Sequence, residues 1–219
     1  MKLTNLNNSP YFTSIYKFNI EHSNYKHAHE AVRKIVNLEP SNDNVQVFSE
    51  FPTFDEACKT EIYEKISASV DDRFDDLVKS ILKQRNIQYT KQTKKEVLEP
   101  ENIYNRIVMP EDTSCTELVA LDTKKIDDLF KENYCYVSEN LTTSRVDNRF
   151  QCFRDFLATG RNIEASQIVL REEAQHPVLD FIDGRHRFCV MRDMGLDKIK
   201  FAMSKDSLKL AYKYNLIAE

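Results

Sequence analysis

The chain has 219 residues, of which 41% are hydrophobic, 11% aromatic and 30% charged, a composition typical of a soluble globular protein. No run approaches the roughly 20 apolar residues of a membrane span, and the polar N-terminus lacks the apolar segment of a secretory signal. The net charge of −4 and the pI of about 5.8 disfavour tight, non-specific DNA binding. Five scattered cysteines without zinc-ligand spacing favour a reducing compartment. A cytoplasmic protein with no membrane partner is therefore expected.

Residues 1–112 are expected to form a helix-rich module of unknown type. Its first predicted elements are a strand at 11–20, a helix at 28–38 and a strand at 45–48. From Thr53 to Leu82, apolar residues recur every three or four positions, a pattern that predicts one long amphipathic helix, or two in series. Its acidic residues are expected on the solvated face: Asp71, Asp72, Asp75 and Asp76. A polar linker at 88–101 and a second boundary at 111–116 follow.

Residues 115–219 are expected to form a separate module that contains all three glycines of the chain. The predicted strands are 118–121, 134–137, 168–170, 178–182 and 199–203, with a turn around 176–177. The predicted helices are 123–133, 147–159, 185–194 and 206–214. This order of strands and helices is typical of the mixed α/β class.

The strongest chemical signal is the sequence Asp-Gly-Arg-His-Arg at residues 183–187. Gly184 permits a tight turn between a strand and a helix, and the amide-rich start of that helix attracts anions. Two arginines and a histidine are unfavourable in a first helical turn, because the helix dipole favours cations at the other end. A bound polyphosphate would relieve this repulsion. The alternative is that Asp183 caps the helix and pairs with an arginine, without any ligand.

This segment resembles the ParB/sulfiredoxin-like superfamily, in which a strand–turn–helix with the pattern D/G-G-x-H/R-R binds nucleotide phosphates. The resemblance runs from about Leu118 to Met203. It includes Arg149-Phe150, Gly160-Arg161-Asn162-Ile163 and the DGRHR residues at 183–187. Some plasmid fertility-inhibition factors of bacteria are similar in this order of motifs. The first 110 residues carry no such resemblance.

The resemblance implies a ParB/sulfiredoxin-like domain over 115–219 that binds a nucleoside triphosphate with Mg²⁺. The implied phosphate-binding residues are Gly184, Arg185, His186, Arg187 and Arg149. Asp183 and His186 are the candidate catalytic residues, and Asp183 is preferred over Asp180 as metal ligand. Arg185 stands where sulfiredoxins place their catalytic cysteine, so sulfiredoxin chemistry is not implied.

Three functions remain open on the sequence. The first is a nucleotide-binding enzyme that hydrolyses or transfers a phosphoryl group. The second is a ParB-like nuclease, against which the acidic pI counts. The third is a non-catalytic inhibitor or effector, of the fertility-inhibition kind, whose N-terminal module binds a protein target.

Overall fold

The structure is a computed structural model that describes residues 14–38, 45–50, 62–111, 113–138 and 148–218. The chain forms two compact units, the first of residues 1–98 with 158–161 and the second of residues 99–157 with 162–219. Both units combine sheets with helices, which confirms the expected mixed α/β class. The second unit starts at Glu99, upstream of the boundary that the sequence predicted at 112–115.

The first unit is built on a four-stranded antiparallel sheet. Its strands are β1 (Ser14–Glu21), β2 (Val45–Glu50), β3 (Ile62–Val70) and β4 (Thr90–Thr93), and its helices are α1 (Tyr25–Val36), α2 (Asp75–Gln84) and α3 (Lys94–Val97). The strand order is β2-β3-β1-β4, and all neighbouring strands run antiparallel. Up to β4, the elements among the described residues follow a β-α-β-β-α-β order, that of a split β-α-β motif.

The long helix predicted from Thr53 to Leu82 is wrong. Residues 62–70 form the internal strand β3, and the helix that follows begins only at Asp75. A four-residue apolar spacing fits one face of a helix, but it also fits every second residue of a strand. The predicted linker at 88–101 is also wrong, because it contains β4, α3 and the start of the next helix. Residues 51–61, which include Thr53, lie outside the described part of the chain.

Helices α1 and α2 cover one face of this sheet. Alternating residues of the two central strands form the sheet side of the core: Tyr16, Phe18 and Ile20 from β1, and Ile66, Ala68 and Val70 from β3. The helices contribute Ala28, Ala31, Ile35, Val78, Ile81 and Leu82. These residues are almost fully buried, so hydrophobic burial is the main stabilising contribution in this unit.

Two of the acidic residues expected on the solvated face depart from it: Asp71, before α2, whose side chain is 13% exposed, and Asp75 in α2. The Asp75 side chain is only 13% exposed. It accepts hydrogen bonds from the Tyr16 hydroxyl and from the ammonium group of Lys91, and it forms an ion pair with Lys79 one helical turn away. Asp75 therefore links the start of α2 to β1 and β4.

The second unit has a mixed four-stranded sheet and a small parallel pair. Its elements are α4 (Pro100–Asn105), β5 (Ile107–Val108), β6 (Glu117–Asp122), α5 (Thr123–Phe130), α6 (Asn148–Ala158), β7 (Ile163–Glu164), β8 (Ser166–Glu173), β9 (His176–Asp183), α7 (Arg185–Asp193), β10 (Lys198–Met203) and α8 (Lys205–Lys213). The larger sheet has the order β6-β10-β8-β9. β10 runs parallel to β8 and antiparallel to β6, while β8 and β9 form an antiparallel hairpin. β5 pairs with β7.

Two local predictions in this unit need correction. Residues 134 and 135 form a turn, and residues 136 and 137 are irregular instead of a strand. The hairpin turn lies at Ala174 and Gln175, whose φ angles are 48° and 66°, so His176 and Pro177 already belong to β9. Two positive φ angles are typical of the type I′ turn, whose twist matches that of a two-stranded hairpin.

Four phenylalanines connect α5, β9, α7 and β10: Phe130, Phe181, Phe188 and Phe201. The ring centroids of Phe130 and Phe181 are 4.9 Å apart, and those of Phe181 and Phe188 are 5.4 Å apart. Such aromatic contacts add to the stabilisation from burial. They fix the start of α7 against the end of β9.

Burial also determines the character of Cys189, which lies in the middle of α7. Its side chain is inaccessible, and burial raises the pKa of the Cys189 thiol to about 12. A thiol with this pKa supplies no thiolate at neutral pH.

No helix among the described residues has the length and apolar character needed to cross a membrane.

Candidate functional site

The turn between β9 and α7 requires glycine for two separate reasons. Gly184 has φ 80° and ψ 12°, in the left-handed region that favours glycine. A Cβ atom at this position would lie 2.7 Å from both Cα and Oγ of Ser166, a separation that real Cβ atoms essentially never show. The buried Ser166 hydroxyl donates a hydrogen bond of 2.8 Å to the Gly184 carbonyl oxygen. Strand β8 thus holds the turn in place.

A β-bulge directly precedes this turn. Gln167 pairs with Asp183 and Ile168 with Phe181, so Ile182 is an extra residue on β9. In a regular strand, residues 180 and 183 would lie on opposite faces. The extra residue reverses this alternation and brings Asp183 to the face of Asp180. The sequence pattern does not reveal the bulge, because it depends on the pairing with β8.

A cavity of about 430 Å³ lies beside Gly184. Four segments line it: the end of α5 with the turn after it, the start of α6, the end of β9 and the first turn of α7. The lining residues are Phe130, Asn133, Tyr134, Cys135, Arg149, Asp180, Phe181, Ile182, Asp183, Gly184, Arg185 and His186. The structure therefore brings together all the predicted site residues except Arg187.

The cationic part of the lining comes from Arg149, Arg185 and His186. Arg185 is half-buried, and its guanidinium group has no hydrogen bond or ion pair to the residues that the structure describes. The His186 ring packs edge-on against Phe150, with centroids 5.1 Å apart, which restricts its rotation. Helix α7 has no acidic residue in its first turn and no side-chain cap, so its dipole adds to the positive potential.

Arg187 and Asp183 form an ion pair with each other. The guanidinium Nη2 of Arg187 donates a 2.7 Å hydrogen bond to Oδ2 of Asp183. Asp183 does not cap the helix, because the N-cap residue is Gly184. Arg187 does not line the cavity, which differs from the phosphate contact that the sequence predicted for it. Its contact with Asp183 orients the carboxylate at the cavity edge.

Asp180 is held at the same edge by two further residues. Its carboxylate forms an ion pair with Arg171. The amide Nδ2 of Asn133 lies 3.4 Å from Oδ1 of Asp180 and donates to the Leu179 carbonyl oxygen at 3.3 Å. Asn133 also accepts a 2.9 Å hydrogen bond from the Cys135 backbone amide. The turn after α5 is thereby attached to β9.

Sequence reasoning missed the cavity residues Asn133, Tyr134 and Cys135. They lie far upstream of the DGRHR segment, and no local pattern marks them as part of a site. Only the packing of α5 against β9 brings them there. Predicting these residues as part of the site would require knowledge of the tertiary contacts between α5 and β9.

The fit of a divalent metal ion depends on Asp183. No group of three or more His, Cys, Asp or Glu side chains suited to a metal occurs in the described part of the chain. Asp183 already accepts a hydrogen bond from Arg187 through one oxygen. One carboxylate suits an ion that is held mainly by phosphate oxygens, but it does not make a metal centre of its own.

Comparison with known proteins identifies no relative. The chain matches no protein-family model and no curated protein, and its structure matches no solved structure. The cavity and its lining are therefore the basis on which a function can be assigned.

Proposed function

We propose that the chain binds a nucleoside triphosphate in the cavity at the start of α7 and hydrolyses or transfers its terminal phosphoryl group. One observation carries the proposal. The first turn of this nine-residue helix faces a cavity that Arg149, Arg185 and His186 also line. The same strand–turn–helix order underlies the resemblance to ParB/sulfiredoxin-like domains.

Phosphate binding rests on three contributions from this end of the cavity. The first-turn amides and the helix dipole attract an anion. The guanidinium groups of Arg149 and Arg185 offer planar forks that match phosphate oxygens. The cavity volume of about 430 Å³ falls in the range of small-molecule sites, roughly 300–1,000 Å³.

Phosphoryl transfer needs mainly positioning and charge stabilisation from a protein. Arg185 and His186 stabilise negative charge on the phosphate oxygens, and Asp183 orients the attacking water or hydroxyl. The attacking oxygen bonds to the terminal phosphorus while the bond to the bridging oxygen breaks, and the nucleoside diphosphate leaves. A magnesium ion bound to the triphosphate would neutralise further charge, with Asp183 as its protein ligand.

Calorimetric titration of ATP, GTP, CTP and UTP with Mg²⁺ tests the binding step. We expect Arg185→Ala to weaken binding about 10- to 100-fold, because a hydrogen bond to a charged group contributes roughly 1.5–3 kcal/mol. The matched control is Arg33→Ala, which removes an exposed arginine of α1 that does not line the cavity. The proposal fails if none of the four nucleotides binds the wild-type protein.

Phosphate release from the bound nucleotide tests the catalytic step separately. His186→Gln keeps a side chain of similar reach but loses the imidazole, so turnover should fall by about 100-fold or more. Binding without any turnover in the wild type would leave a nucleotide-binding protein of the non-catalytic class. In that case the candidate catalytic roles of Asp183 and His186 would be withdrawn.

A further inference from the structure

The cavity carries two carboxylates as well as its cations. Asp180 and Asp183 both line it, on the same face of β9 because of the bulge at Ile182. A site for bare phosphate gains nothing from carboxylates at its edge, since like charges repel. Asp183 already has a role in the proposed function, whereas Asp180 has none, so Asp180 indicates that the ligand also presents hydrogen-bond donors.

The two carboxylates have different surroundings. Asp183 adjoins the first turn of α7 and is bound by Arg187, so it belongs to the phosphate end. Asp180 pairs with Val169 and Asp183 with Gln167, so the two aspartates lie about two strand residues apart, roughly 7 Å. The contacts to Arg171 and Asn133 fix Asp180 in advance, and preorganised groups bind a ligand at lower cost. Asp180 is thus a fixed acceptor at a distance from the phosphate end.

An ionised carboxylate only accepts hydrogen bonds, so the group that meets Asp180 must be a donor. Each Asp180 oxygen already accepts one contact, from Arg171 or Asn133, and can accept one more. A pair of neighbouring sugar hydroxyls fits these two remaining positions, as ribose hydroxyls fit an acidic residue in dinucleotide-binding folds. A continuous nucleic acid strand would instead bring further phosphates towards Asp180. The acidic edge therefore favours a single nucleotide over DNA.

We infer that the ligand is a ribonucleotide, and that its ribose hydroxyls donate to Asp180 while its phosphates occupy the first turn of α7. The inference rests on the proposed function, because it names the substrate class of the same cavity. Asp180 is then the residue that distinguishes ribose from sugars without these hydroxyls. Specificity of this kind comes from leaving a fixed polar group unpaired when the wrong ligand binds.

The test compares ATP, GTP, CTP and UTP with their 2′,3′-dideoxy counterparts, all with Mg²⁺, by calorimetry on the full chain. For the nucleotide that binds, loss of both hydroxyls should weaken wild-type binding about tenfold or more. Asp180→Asn should reduce this preference to less than about threefold. The matched control is Asp128→Asn, which changes an exposed aspartate of α5 that is paired with Lys131 outside the cavity and should keep the full preference.

The outcomes separate this inference from the proposed function. Equal binding of a nucleotide and its dideoxy counterpart by the wild type overturns the inference and leaves nucleotide binding standing. This comparison needs no variant, so it remains decisive if Asp180→Asn does not fold. A preference that persists in a folded Asp180→Asn protein overturns the role of Asp180. No binding of any nucleotide overturns both proposals.

Discussion

Two strand-to-helix junctions, one in each unit, balance helix charge in opposite ways. After β3, helix α2 begins with Asp75 and Asp76 and carries Lys83 in its last turn, which is the distribution that the helix dipole favours. After β9, the first turn of α7 holds Arg185, His186 and Arg187 and no acidic residue. The charges at the start of α2 therefore suit its helix dipole, whereas those at the start of α7 oppose it.

The α2 junction is neutralised inside the fold. Burial opposes ionisation of the Asp75 carboxyl, but hydrogen bonds from Lys79, Tyr16 and Lys91 outweigh burial and hold the pKa of Asp75 well below its usual range. These hydrogen bonds account for the charge of the Asp75 carboxylate without a ligand. The junction is fully accounted for by its structural role.

The α7 junction differs because its internal ion pairs include Arg187 in the first turn and Arg192 at the far end, but not Arg185. There, Arg192 is buried and donates a 2.6 Å hydrogen bond to the buried Asp127 of α5. At the near end, Arg185 and His186 face the cavity. A cation at a helix start therefore indicates a ligand where it lines an open cavity and has no ion pair with the described residues, as is the case for Arg185.

The largest expected effect comes from disrupting the α7 junction itself. Gly184→Ala should lower the free energy of unfolding by about 3 kcal/mol or more, since a left-handed backbone conformation and a steric clash with Ser166 both oppose the new methyl group. Gly195→Ala is the matched control. Gly195 has φ 83° but no heavy atom within 4 Å of its added Cβ, so only the conformational cost of about 1–2 kcal/mol remains. Urea unfolding of the two variants measures the difference, and equal losses would disprove the steric account.

The α7 junction was largely predictable from the sequence, and the reason is local. The segment predicted a strand at 178–182 and a helix at 185–194, and the structure has β9 at His176–Asp183 and α7 at Arg185–Asp193. A glycine between a β-prone run and an amphipathic run determines the turn almost by itself. The cavity around it was not predictable, because α5 and the bulge at Ile182 act through tertiary contacts.

The α2 junction was not predictable, because its pattern is ambiguous. Ile62, Ile66 and Val70 are four residues apart, which suits a helix face and also one face of a strand. Both faces of β3 are buried: Ile66 and Val70 lie on one, and Ser67 and Ser69 on the other. Polar but buried serines conceal the alternation that normally reveals a strand.

An intermediate effect is expected at the α2 junction. Asp75→Asn should lower the free energy of unfolding at pH 7 by about 2 kcal/mol, because hydrogen bonds to an ionised partner are lost. The pKa of Asp75 is lower in the folded state than the unfolded value of about 3.9. This contribution is therefore fully present above that value and is lost as pH falls through the folded-state pKa.

Urea unfolding at pH 7 and at pH 3 checks this dependence. The difference between wild type and Asp75→Asn should be constant above about pH 5 and should narrow below about pH 4. Asp76→Asn serves as the control, because the Asp76 side chain is 98% exposed and forms an ion pair with Lys79. It should change stability little at either pH. A gap of equal size at both pH values would mean that the Asp75 charge is not what stabilises the junction.

The smallest expected change in stability comes from exchanging the charges in the first turns of α7 and α2. Arg185→Glu gives α7 the acidic first turn that α2 already has, so the ligand-free protein should gain roughly 0.3–1 kcal/mol from the helix dipole. Asp76→Lys makes the reverse change in α2 and should lower stability by a similar amount. With saturating nucleotide, the wild type should instead be more stable than Arg185→Glu. The nucleotide stabilises the wild type by mass action, whereas a third carboxylate in the cavity prevents it from binding the variant. Thermal unfolding with and without nucleotide measures both effects. If Arg185→Glu instead destabilises the ligand-free protein, the cations at the start of α7 are structural and the contrast between the two junctions disappears.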